Sequence, residues 1–152
     1  MKDMLSTPLT VTLLVLLYKS HNQLPTNLSE FYDNLFQTLL QRHDGTKPGF
    51  TRPRSCKIDD IEYRTAFESI CILTKKHQQQ NFEYETLYQI AKDALGQQGL
   101  ETSPASFIKD IVKITCLILN EGNEYRFIHK TVQEYYTASY IQKRPNSWAR
   151  DY

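Results

Sequence analysis

Apolar positions recur at helical spacing along most of the chain, and the breaks between those stretches divide it in two. Pro8 suits the first turn of a helix, where its missing N–H is no loss, and Leu9, Leu13, Leu16 and Leu17 then repeat as far as Tyr18. This helix is apolar nearly all round, a pattern that predicts burial under more chain than its neighbours supply. After the turn at Asn22-Gln23-Leu24-Pro25, Asn27 is a good N-cap with Glu30 three positions on, and Leu28, Phe31, Tyr32, Leu35, Phe36, Leu39 and Leu40 make one continuous face. That helix is expected to stop near Arg42. From His43 to Lys57 the glycines and prolines Gly45, Pro48, Gly49 and Pro53 stand among basic and polar residues, as in an exposed linker.

A second part follows. Asp59 and Asp60 suit a helix start, and Ile61, Ala66, Phe67, Ile70, Cys71 and Leu73 carry the apolar pattern towards His77, with Gln78-Gln79-Gln80 as a polar exit. Tyr84 to Leu95 predicts a second helix closed by Gly96 and Gly99, and Ser103-Pro104 opens a third with Phe107, Ile108, Ile111 and Val112 as its buried stripe. Cys116 to Leu119 and Tyr125 to Ile128 are short β-prone runs, and the residues Asn120 to Glu124 between them include a glycine, which predicts a hairpin. Three helices and a hairpin are the order of a winged helix. A helix from about Thr131 to Ile141 leads out, Pro145-Asn146-Ser147 breaks it, and Trp148 to Tyr152 lacks periodicity. The expected fold class is mainly α: a small helical subdomain, a winged-helix unit and an outgoing helix.

Composition narrows the functions. The 152 residues suffice for one medium or two small domains, and the net charge of +1 provides no global field to draw in nucleic acid, anionic lipid or an acidic substrate. The apolar run from Val11 to Tyr18 is far shorter than the ~20 residues of a membrane span, and no charged leader precedes it, so no membrane partner is expected. Cys56, Cys71 and Cys116 are widely spaced, against both a zinc site and a disulfide framework, and fit a reducing cytoplasm. Cys71 and Cys116 lie in apolar runs, where small buried hydrophobes are expected.

Chemistry concentrates at two places. Phe127-Ile128-His129 ends an apolar run directly before the last helix, which puts one imidazole at a strand–helix hinge, where a core or capping histidine is the plain reading, and Ser6-Thr7-Pro8-Leu9 opens the first helix. Together with Leu24-Pro25, Phe31-Tyr32, Gln133-Glu134-Tyr135 and Ala138, these residues resemble the C-terminal part of a NACHT-type STAND NTPase, over roughly Met1 to Gln142. That group includes animal nucleotide-binding, leucine-rich-repeat immune receptors and bacterial anti-phage NACHT proteins. The resemblance implies a helical subdomain at 1–44 that follows the NTPase core, a linker at 45–57, a winged-helix domain at 58–129, the first helix of a second helical domain at 130–145, and a frayed tail at 146–152. It also implies that Pro8 lies against the adenine of a bound nucleotide and that His129 reaches the β-phosphate of ADP, holding a resting state until ATP replaces ADP and oligomerisation follows. The expected partner is then the NTPase core of the parent protein, with ADP or ATP and Mg as the parent's cofactors.

The chain itself has no GxxxxGK[ST] loop and no apolar strand ending in acidic residues, and its five glycines offer no such arrangement. In isolation it is expected to bind no cofactor and to catalyse nothing, as a fragment or one part of a split gene. Other readings compete with this one. A DNA-binding winged helix would read DNA through its third helix, but Lys109 and Lys113 are there set against Asp110, and the wing has Glu121 and Glu124 with only Arg126, so nucleic acid is not an expected partner. A basic stretch of Arg42, Lys47, Arg52, Arg54 and Lys57 reads as a solvated loop. For an enzyme, His21, His43, His77 and His129 fall in different elements with no metal-ligand spacing, and Glu62, Glu68 and Glu85 are expected on exposed helix faces. A purely structural helical interaction module would account for the aromatic content by packing alone.

Overall fold

The structure, a computed structural model, describes residues 8–45, 54–78 and 80–144. The chain divides into two compact units, residues 1–52 and 53–152. Most of the expected linker, 46–53, and the tail from residue 145 lie outside the described residues.

In the first unit, α1 (Pro8–His21) packs against α2 (Leu28–Gly45). Pro8 is the first helical residue, and α1 ends where Asn22 turns left-handed at φ 56° and donates its N–H to the Tyr18 carbonyl at 2.7 Å. Asn27 Oδ1 caps α2 by accepting the Glu30 N–H at 2.9 Å, and the Glu30 carboxylate reaches back to the Thr26 N–H at 2.7 Å. That contact, the largest cause, lowers the Glu30 pKa. Leu14, Leu17, Phe31, Leu35, Phe36 and Leu40 are buried. The cover that an all-round apolar α1 needs is not supplied by α2: Val11, Val15 and Tyr18 are 41–48% exposed, since two helices bury only the facing stripe of each.

The second unit runs α3 (Asp60–Lys76), β1 (Asn81–Glu83), α4 (Tyr84–Gln97), α5 (Pro104–Asp110), a π-helical turn (Ile111–Thr115), β2 (Ile118–Glu121), β3 (Glu124–Phe127) and α6 (Lys130–Gln142). It is mainly helical, with helices and hairpin in winged-helix order. Asp59 and Glu62 close a capping box on α3, each carboxylate accepting the other residue's N–H, at 2.8 and 2.9 Å. The sheet is antiparallel in the order β1-β3-β2, with Phe82 opposite Tyr125 and Asn120 opposite Tyr125 on the other side. Gly122, at φ 66°, opens the two-residue turn of the hairpin, the place glycine takes in type II′ turns.

The core of this unit is aromatic. Phe67 meets Tyr136 edge-on at 5.3 Å and Phe127 at 6.2 Å, while Phe82 meets Phe127 at 6.1 Å. Ile61, placed in the apolar pattern by its spacing, is 76% exposed, and fully buried Tyr63 takes the core position instead.

Two acidic side chains are buried with this core. Asp110, 3% exposed, accepts the N–H groups of Ser55 and Cys56, each at 2.9 Å, and the Tyr63 hydroxyl. It thereby ties residues 54–57, expected in the linker, to the end of α5. Glu68, fully buried rather than on an exposed face, accepts from Arg64 Nε, Ser139 Oγ and Lys143 Nζ, all at 2.9 Å. Its partners join α3 to α6, and Gln133 adds a bond to Thr74 Oγ1 at 2.9 Å. Each carboxylate has several donors, the condition under which a buried charge is tolerated.

Candidate functional site

The strand–helix junction around His129 is built by three constraints. Phe127 is buried at the end of β3, the Ile128 N–H donates to the Leu117 carbonyl at 2.9 Å, and His129 then stays extended at φ −154°, ψ 147° as the N-cap of α6. The cap is the imidazole itself. Nδ1 accepts the Thr131 N–H at 3.2 Å, with Thr131 Oγ1 at 2.8 Å. Acceptance at Nδ1 places the proton of the neutral ring on Nε2, which is a hydrogen-bond donor with no partner among the described residues.

His129 is exposed and lines a hollow of about 230 Å³ together with Gln80, Asn81, Arg126, Lys130 and Gln133. The rim is cationic, but much of its charge is shared. Arg126 Nε and Nη2 donate to the two Glu121 oxygens at 2.8 and 2.7 Å, and Lys130 lies 3.5 Å from Glu134. The Arg126 bond is the main cause of a lowered Glu121 pKa, as the Glu121 bond is of a raised Arg126 pKa. The start of α6 adds its positive dipole end. This set suits a single phosphate or carboxylate group; it is too small to cradle a whole nucleotide.

Pro8, the other expected contact residue, is the exposed first residue of α1 in the first unit, where it starts the helix. Among the described residues no three His, Cys, Asp or Glu side chains are arranged to hold a metal ion, and no helix is long and apolar enough to cross a membrane.

Elsewhere the structure corrects the expected balance of charge. Asp110 points inward to Ser55 and Cys56 and does not offset Lys109 and Lys113 at the surface. Cys71 is buried and its pKa is raised by burial, but Cys116 is exposed, because the chain turns left-handed there (φ 56°) as it leaves the π-turn.

Compared with protein-family models, curated proteins and solved structures, the chain matches none. The residues alone therefore define it: a mainly helical protein whose second unit ends on a histidine-capped helix beside a cationic hollow.

Proposed function

We propose that the chain is the nucleotide-state switch segment of a NACHT-like STAND NTPase, regulatory rather than hydrolytic, in a protein of immune or anti-phage defence. The observation that supports this reading is the unpartnered Nε2–H of His129 on a ring fixed by its own capping bond, next to the hollow rimmed by Arg126 and Lys130. A ring held at Nδ1 is oriented before any ligand arrives, so little ordering entropy opposes a contact at Nε2.

In this reading the missing NTPase core holds ADP or ATP with Mg, and supplies the phosphate loop and the chemistry. His129 donates from Nε2 to a terminal phosphate oxygen, and the α6 dipole favours the same negative charge. Pro8 packs an apolar ring on the purine without desolvating any polar group. Because His129 joins the wing to α6, losing its contact when the phosphate moves frees that junction.

The test uses a polypeptide that joins this chain to its NTPase core, with ADP release as the readout. His129→Ala is expected to release ADP about tenfold faster, roughly the 1.4 kcal/mol of one charge-assisted hydrogen bond. His129→Asp keeps a good N-cap but sets a negative charge against the phosphate, so release should be faster still. If His129→Asp releases ADP at the unsubstituted rate, the histidine is only a helix cap and the switch role is lost.

A further inference from the structure

A second hollow, of about 290 Å³, lies in the same unit between α5 with its π-turn, the start of α4, and the hairpin. Its apolar floor is Ile108 and Val112, and its walls are the rings of Tyr84 and Tyr125. Tyr84 is 41% exposed, yet its ring lies 5.8 Å from Tyr125 and 6.2 Å from Tyr88, so the three rings form one continuous surface. Tyrosines ordered by their neighbours and at least partly exposed provide contact area with little conformational entropy left to lose, which is why interfaces are rich in them.

The rim is charged, and its charge is unanswered. Lys109 and Lys113, both exposed, line the hollow one helical turn apart, and neither pairs with a carboxylate among the described residues. The acidic residue between them, Asp110, is buried and occupied by Ser55, Cys56 and Tyr63.

We propose that this hollow docks an acidic peptide segment of a protein partner, which seats one apolar or aromatic side chain over Ile108 and Val112 against the joined rings of Tyr84 and Tyr125 and sets its carboxylates against Lys109 and Lys113. The concave apolar floor fits a protruding side chain; a phosphate backbone has nothing to place there. Duplex nucleic acid needs several phosphates neutralised at once, and the hollow offers only the two lysines. This surface contains no residue given a nucleotide role, so it stands or falls independently of His129.

The experiment titrates the full chain into a short fluorescein-labelled peptide in which one tryptophan is flanked by glutamates, read by anisotropy. The same peptide with lysines for glutamates and a labelled DNA duplex are run in parallel. Saturable binding of the acidic peptide alone is expected, weakened at least about tenfold by the pair Lys109→Glu and Lys113→Glu. Ala105→Trp, which obstructs the hollow without altering charge, should weaken it similarly. On the unsubstituted chain, amide shifts should centre on Tyr84, residues 108–113 and Tyr125. Absence of saturable binding, affinity unchanged in both variants, shifts centred elsewhere, or tighter binding of the duplex would each overturn the proposal.

Discussion

At the scale of single residues, the buried carboxylate of Asp110 bears most on stability. Its three donors would be stranded in Asp110→Ala, so a loss of about 3 kcal/mol or more is expected in urea unfolding, far above a surface substitution. Alkaline pH probes the same neighbourhood. Burial first, then the bond to Asp110, pushes the Tyr63 pKa far up, and burial raises those of Tyr136 and Cys71. The folded chain therefore keeps protons that the unfolded chain releases above its thiol and phenol values of ~8.5 and ~10. Stability from these groups is complete below those values and declines as pH rises through them. The urea midpoint should hold to about pH 8 and fall beyond it, more steeply above ~10, with a shallower fall in Tyr63→Phe. A midpoint that stays level to pH 11 would contradict this. Neither buried acid was legible from local pattern. Asp110 looked like a counter-charge to its neighbouring lysines because its true partners are 54 and 55 positions away, and Glu68 looked like a solvated helix residue because Ser139 is 71 away.

Among the elements, α6 depends on α3 through both aromatic packing and the Glu68 network. Glu68→Ala leaves Arg64, Ser139 and Lys143 without their shared acceptor, and amide exchange along α6 should accelerate at least tenfold more than in α4. Lys143→Ala, where the side chain is 52% exposed, should cost less than about 1 kcal/mol. Equal exchange in α4 and α6 of Glu68→Ala would mean that packing alone holds α6. Long amphipathic patterns made α2, α3, α4 and α6 readable to within a few residues. The strand β1 was not, since Asn81-Phe82-Glu83 shows one apolar residue between two polar ones and is a strand only because β3 pairs with it. The hinge position of His129 was readable, and so was capping as its plain role; the use of Nδ1 for the cap was not, since that bond depends on Thr131.

For the whole molecule, the chain divides after α2, and the two units differ in what they can sustain. A chain restricted to residues 54–144 is expected to melt cooperatively, by circular dichroism, at a temperature close to that of the same unit in the full chain, because its core and both buried carboxylates are internal. The two described helices of the first unit, residues 8–45, fall near the ~40-residue limit below which a lone core rarely suffices, so that piece alone should show little fixed helix. A sharp melt from that short piece would refute the expectation. The π-turn has a further consequence for the architecture. It contains one more residue than an α-helical turn requires, so deleting a single residue between Ile111 and Thr115 should let an ordinary helix run on. The surplus position is taken up within the turn, so a one-codon loss there should leave the wing presenting the same side to the helices, whereas one lost from the regular α3 would displace everything after it by roughly 100° of rotation.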